Sequence, residues 1–307
     1  VTTPDLHLDI GGARLKNPVM TASGTFGYGR EFADFFDPAR LGAVVVKGLT
    51  LKPRAGNPPP RIVETPSGML NAIGMENVGL EVFRRDKLPW LVERGVTVAV
   101  NILGETIEEY AALAEGLSAE PGVALIEVNV SCPNVAAGGM YFGADPQATN
   151  DVTRAVVRAA RQPVMVKLTP LVTDIVTIAQ AAVQAGASAL SLINTLPAMA
   201  VDIEKKRPVL ANTIGGLSGP AIRPVALRLV WQVARAVNVP VVGIGGILTV
   251  RDALEFLLVG ARAVQIGTAS FVDPMAAIKI LEGIEEYFAA HDIPNLDAFV
   301  GKLETNS

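Results

Sequence analysis

Residues 240–268 read PVVGIGGILTVRDALEFLLVGARAVQIGT, and their order decides the fold. Pro240 to Ile244 is a short apolar run of strand type, closed by Gly243-Ile244-Gly245-Gly246. Thr249-Val250-Arg251-Asp252 resembles a capping box with Asp in place of Glu, so a helix opens there and ends at Gly260. Arg262 to Ile266 is a second apolar run, closed by Gly267-Thr268. Strand, helix, strand is the form of a parallel β-α-β unit. Glycine at the strand ends lets backbone N–H groups approach phosphate oxygens.

The same alternation extends towards the N-terminus. Further apolar runs span Pro18 to Ala22, Ala43 to Lys47, Thr97 to Asn101, Ala124 to Asn129, Pro163 to Leu168 and Ala187 to Ile193. Between them, Asp174 to Ala185 places Ile175, Ile178, Ala179, Ala182 and Val183 on one helical face, and Gly186 stops it. Pro224 to Val237 and Pro274 to Ala290 also have helical periodicity. Eight strands alternating with helices predict an α/β protein of the (β/α)8 TIM-barrel type. A doubly wound open sheet is the alternative, but the strand count and the terminal glycine motifs favour the barrel. Leu6 to Ile10 and Ala13 to Lys16, joined at Gly11-Gly12, predict an N-terminal hairpin closing one end. Gly48 to Val78 and Thr195 to Pro220 are too long for plain loops. They are read as long insertions after strands two and six, the second with a hairpin around Glu204 to Arg207. With no internal repeat or linker composition, residues 1–307 read as a single domain.

Composition narrows the function. Of the 307 residues half are hydrophobic and 18% charged, which allows a large core. Aromatics are only 5%, so that core is aliphatic, as parallel strands covered by helices require. A net charge of −4 without long basic runs argues against nucleic acid. One cysteine excludes a disulfide framework and any thiolate-built cluster, and fits a reducing cytosol. No apolar run reaches membrane-spanning length, and Val1 to Leu8 lacks the basic and apolar regions of a signal peptide. A cytoplasmic location is expected.

The strand ends carry the chemistry. Strand two ends in Lys47, strand three in Asn101, strand four in Asn129 and strand five in Lys167; Asn194 follows strand six, and Asn71 lies in the first insertion. Singly, such residues are turn formers or snorkelling cations. Together they ring one mouth of a barrel with amides, which match the edges of imides and pyrimidines, and with cations, which steady negative charge. No Asp, Glu or His gathers there, so neither a metal site nor a glycosidase carboxylate pair is expected. Glu127 shares the inward face with Asn129 one layer deeper and is expected to pair with Lys167 or Lys47, since a buried carboxylate needs a partner. The glycines after strands seven and eight form the phosphate site usual for this fold, with the helix near Thr249 offering its positive end. Ser218-Gly219 is a further contributor. A planar ring bearing phosphate is implied, and flavin mononucleotide satisfies both requirements.

These residues resemble a known family. Ala22-Ser23-Gly24, Lys47, Asn71-Ala72-Ile73-Gly74-Met75-Glu76-Asn77, Ser131-Cys132-Pro133-Asn134, Ile193-Asn194-Thr195, Gly215-Gly216-Leu217-Ser218-Gly219 and Gly245-Gly246 are similar, in register, to the dihydroorotate dehydrogenases. Cysteine in the loop after strand four resembles class 1, and Gly56-Asn57-Pro58-Pro59-Pro60-Arg61 with the Asn71 run resembles the class 1B catalytic subunit. The resemblance implies oxidation of dihydroorotate to orotate in pyrimidine biosynthesis, with FMN in this chain. It implies that Cys132 takes a proton from C5 while hydride leaves C6. Lys47, Asn71, Ala72, Ile73, Gly74, Met75, Asn129, Asn194 and Thr195 would hold substrate. Ser23, Lys47, Gly48, Asn101, Asn129, Lys167, Ile193, Gly219, Gly245, Gly246, Gly267 and Thr268 would hold FMN. A homodimer within a heterotetramer is implied, with FAD and a 2Fe–2S cluster in a partner subunit that passes electrons to NAD. The fumarate-dependent class 1A homodimer and a pyrimidine-reducing flavoprotein are the near alternatives, and a flavin-free phosphate-binding barrel the distant one.

Overall fold

A computed structural model of the chain describes residues 4–131, 133–134 and 140–305. Eight parallel strands form its centre: β1 Val19–Thr21, β2 Val44–Leu49, β3 Val98–Ile102, β4 Val123–Asn129, β5 Val164–Lys167, β6 Ala189–Leu192, β7 Val241–Ile244 and β8 Ala263–Ile266. Sheet order is β1-β8-β7-β6-β5-β4-β3-β2. The two ends of that order meet. Met20 bridges Ala43, the Gly42 N–H donates to the Val19 carbonyl at 2.8 Å, and the Thr21 N–H donates to the Ala43 carbonyl at 3.2 Å. The sheet is therefore a closed (β/α)8 barrel, as the strand count predicts.

Closure uses a side chain. Thr21 Oγ1 accepts the Val45 N–H at 2.9 Å and lies 3.2 Å from the Val45 carbonyl. Thr21 is fully buried, so no water replaces a lost partner. Thr21→Val keeps the shape and removes the hydroxyl. It is expected to cost about 1–3 kcal/mol, the penalty of an unpaired buried backbone group. Urea unfolding should read this as a lower midpoint at unchanged slope, with Thr21→Ser recovering most of it.

Strands buried on both faces explain the near-continuous aliphatic runs, such as Val44 to Val46 and Val98 to Val100, all fully inaccessible. Helices Ile107–Ser118, Pro146–Ala159, Ile175–Gln184, Arg223–Ala234, Val250–Leu258 and Ala276–Ala290 cover the outside. Asp174 caps its helix by accepting the Val176 N–H at 2.9 Å. The capping box at Thr249 and Asp252 forms as read. Between β1 and β2 there are only two 3-10 turns, Arg30–Phe32 and Pro38–Arg40, packed on stacked Phe26 and Phe32 rings. The helix after β2, residues 80–93, contains a π segment at Phe83–Lys87. Pro89 has no N–H and crowds the carbonyl four residues back, so the wider turn accommodates it. No helix among the described residues is long and apolar enough to cross a membrane.

The N-terminal hairpin pairs Leu8–Ile10 with Ala13–Leu15. The two insertions do more than fill space. Ile62–Thr65 and Gly68–Asn71 from the first join Leu196–Ala198 and Gly215–Ser218 from the second in one antiparallel sheet. The predicted hairpin follows within the second insertion, with Val201–Asp202 against Arg207–Pro208. Tyr28 props the first insertion: its hydroxyl accepts the Val78 N–H at 3.2 Å, and burial holds the phenol above its ordinary range.

Candidate active site

At the C-terminal mouth of the barrel, roofed by the insertion sheet, lies a cleft of about 530 Å³. The strand-end residues converge on it because parallel strands all point one way and the residues ending them share one rim. Lys47 on β2, Asn101 on β3, Asn129 on β4 and Lys167 on β5 line it, with Ile193, Asn194 and Thr195 after β6. Asn71, Ala72, Ile73, Gly74 and Met75 come from the first insertion and Gly219 from the second. Ser23, Gly48, Gly245, Gly246, Gly267 and Thr268 complete the set named from sequence. Cys132 lies outside the described residues; its neighbour Ser131 lines the cleft.

The amides are held in place by their own chain. Asn129 Oδ1 accepts the Ser131 N–H at 3.1 Å and Asn194 Nδ2 at 3.3 Å. Asn194 Oδ1 accepts the Thr195 N–H at 2.8 Å. The Asn129 carbonyl takes the Tyr110 hydroxyl at 2.6 Å, which ties β4 to the helix after β3. The Asn71 run is laced to the start of its own insertion: the Ala72 N–H donates to the Arg61 carbonyl at 2.8 Å, and the Asn57 N–H to the Ile73 carbonyl at 2.9 Å.

The two lysines differ. Lys47 Nζ is 3.9 Å from Glu76, whose carboxylate also pairs with Arg61. Lys167 is 5% exposed and has no carboxylate within 4.0 Å among the described residues. A buried cation is costly unless an anion or a hydrogen-bond acceptor meets it. Its placement on the cleft wall suits a ligand that carries negative charge.

The expected pairing of Glu127 with a lysine is corrected by the structure. Neither Lys47 nor Lys167 comes within 4.0 Å of it. Fully buried, Glu127 accepts from three neutral donors: Asn101 Nδ2 at 2.6 Å, Gln265 Nε2 at 2.7 Å and Ser191 Oγ at 2.8 Å. The lysines stand at the rim, whereas Glu127 lies a layer below, where Asn101, Ser191 and Gln265 face it from β3, β6 and β8.

The anion cradle also differs in one respect. Asp252 Oδ2 accepts the N–H groups of Leu248 and Thr249, both at 2.9 Å, and Arg223 pairs with the same carboxylate. The positive end of that helix already faces a carboxylate of its own chain. The cradle falls to the glycine backbone and to hydroxyls: Thr268 Oγ1 donates to Ser218 Oγ at 2.8 Å. Gly246 has φ of 75°, and a Cβ there would meet the Gly219 carbonyl oxygen and Arg223 Cβ, both at 2.7 Å. Only glycine fits that bend.

Sequence reading missed several apolar lining residues, among them Met69, Leu103, Ile222 and Phe271. Leu103 lies two residues beyond Asn101 and so shares its side of an extended chain, a signal that the glycine after it obscures.

Comparison with known proteins agrees with this geometry. The sequence model of the family described as Dihydroorotate dehydrogenase matches residues 5–288. A Geotalea uraniireducens protein named "Dihydroorotate dehydrogenase B (NAD(+)), catalytic subunit" is 58% identical over 302 residues, 98% of this chain and 99% of its own. Proteins of the same name from Geobacter sulfurreducens and Geobacter metallireducens are 58% and 55% identical over the same shares of both chains. The chain belongs to the dihydroorotate dehydrogenase family.

Proposed function

We propose that this chain is the catalytic subunit of an NAD-linked dihydroorotate dehydrogenase, oxidising dihydroorotate to orotate with FMN held in the cleft. The observation that carries this is the convergence, at one barrel mouth, of an imide-matching amide set, two cations and a glycine-hydroxyl cradle. Those residues fit FMN. Asn101, Asn129, Asn194 and Asn71 all line the cleft, offering amide donors and acceptors to a planar heterocycle. Lys167 has no carboxylate within 4.0 Å among the described residues, and the Ser218 and Thr268 hydroxyls line the cleft beside the glycine backbone. When bound there, FMN supplies the acceptor for hydride from C6.

The residues divide the remaining work. Cys132 takes the proton from C5 as the C5–C6 double bond forms. Asn71 to Met75, Asn129, Asn194 and Thr195 hold the pyrimidine edge and carboxylate, with Lys47 between substrate and cofactor. Lys167, Ser23, Gly48, Asn101, Ile193, Gly219, Gly245, Gly246, Gly267 and Thr268 hold FMN. The insertion sheet roofs the cleft and would limit water around a bound substrate.

The word "subunit" in the relatives' names supports a partner. A single cysteine cannot hold a 2Fe–2S cluster, which agrees with a separate partner that carries the cluster and FAD, in a heterotetramer built on two copies of this chain. An assay of dihydroorotate-dependent NAD reduction tests the assignment. It should be slow with this chain alone and rise by about 10-fold or more when the partner is added. Fumarate reduction by the isolated chain at the full rate would instead indicate the class 1A reaction.

A further inference from the structure

The glycine turn after β7 is fastened from behind the cleft. Gly246 packs on the opening of the helix Arg223–Ala234, where an added Cβ would lie 2.7 Å from both Arg223 Cβ and the Gly219 carbonyl oxygen. Gly245 meets the same helix, with an added Cβ 2.9 Å from Ala226 Cβ. Ser218 and Gly219 lie on one side of this seam, Gly245 and Gly246 on the other, and all four line the cleft. Arg223 crosses the seam: it pairs with Asp252, and its Nε is 3.8 Å from Glu255. Asp252 in turn accepts the Leu248 and Thr249 N–H groups, both at 2.9 Å, and so grips the end of the turn. Its carboxylate is buried, which makes a charged partner worth most. Thr268 joins the same assembly by its 2.8 Å hydrogen bond to Ser218 Oγ. Neither Arg223 nor Asp252 lines the cleft itself.

We propose that Arg223 is a positioning residue for the anion cradle: by pairing with Asp252 it holds the Gly245-Gly246 turn against the Ser218-Gly219 wall, so that the two present their backbone to one phosphate. The inference rests on the reading of the cleft as an FMN site and deepens it. Backbone donors cannot swing to meet a ligand as a long side chain can, so the segments that carry them must be held in place beforehand. The ring of the flavin lies among the amides and lysines at the other strand ends and makes no such demand on the seam. Loss of the pair therefore falls on the phosphate and spares the ring.

Two flavins and one exchange measurement on the full chain test it. FMN and riboflavin, which shares the ring and lacks the phosphate, are each titrated into apoprotein and followed by flavin fluorescence. Arg223→Met should weaken FMN by about 10-fold and riboflavin by less than about 2-fold, and Arg223→Lys should recover most of the difference. Asp252 is left unaltered because it also caps its own helix. Amide hydrogen exchange of the flavin-free protein is the second readout. Arg223→Met should speed exchange across residues 243–249 by about 10-fold and leave the remaining barrel strands unchanged. Equal losses for the two flavins would overturn the proposal, since Arg223 would then act through the barrel as a whole. Unchanged exchange would also overturn it, since Arg223 would then meet the phosphate directly. Should Arg223→Met not fold, Arg223→Gln, which keeps a neutral donor for the carboxylate, takes its place. Unaltered apoprotein that takes FMN no more tightly than riboflavin would overturn the phosphate reading of the cradle, and the proposal with it.

Discussion

Cys132→Ala is expected to keep its bound FMN and to lose dihydroorotate turnover by about 10²-fold or more, the scale of general base catalysis. On the proposed mechanism the substitution removes the proton acceptor at C5. The root of the loop is anchored independently of the thiol, through the Ser131 N–H on Asn129 Oδ1. Flavin content and orotate affinity should accordingly stay within about 2-fold. Cys132→Ser should also be slow, because a hydroxyl is a far weaker base than a thiolate. The thiol works as a base only when deprotonated, and free cysteine has a pKa of about 8.5. The rate with Cys132 should therefore climb with pH through the thiol's titration, and Cys132→Ser should lose that limb. Stopped-flow reduction of the flavin at several pH values reads all three. Near-normal reduction by Cys132→Ala would remove the residue from the mechanism.

Lys167→Met should weaken FMN and strengthen the empty barrel, two effects of opposite sign. The side chain is buried with no carboxylate within 4.0 Å among the described residues. In the apoprotein its charge is a liability, and an apolar replacement of similar length is expected to stabilise the fold by about 1–3 kcal/mol. On the proposed reading the same charge would make a hydrogen bond of the charged kind to bound FMN, about 1.5–3 kcal/mol. FMN affinity should fall by roughly 10- to 100-fold on removing it. Thermal melts of apoprotein and FMN titrations of both forms separate the two. A lower apoprotein melting temperature would show that Lys167 is structurally paired, and unchanged affinity would show that the flavin does not use it.

Much of this site was legible because a parallel barrel turns sequence position into place. Each strand's last inward residue must reach the same rim, so Lys47, Asn101, Asn129 and Lys167 could be gathered from strand ends alone. The glycines after β7 and β8 were readable for the same reason. The four-stranded roof was not legible. Gly215 to Ser218 has two glycines and no β-branched alternation, and its partner Gly68 to Asn71 lies far away in the chain. Register between such segments is set by the barrel beneath them, not by their own composition. The partners of Glu127 were misread because charge suggested a lysine. Three neutral donors from β3, β6 and β8 satisfy it in the layer below the rim. The capping box at Thr249 is legible in the sequence, yet its third helical residue, Asp252, itself answers the positive end that the sequence offers to phosphate.

The most direct test of the central claim is the absorbance spectrum of the purified chain, followed anaerobically as dihydroorotate is added. Flavin bands present at the outset and bleached by about one equivalent of dihydroorotate are the expected result. They would establish together that the cleft holds FMN and that the reductive half-reaction occurs in this chain. Flavin that stays oxidised would contradict the substrate. A colourless chain that takes up no added FMN would contradict the cofactor and return the cleft to a plain phosphate-binding barrel.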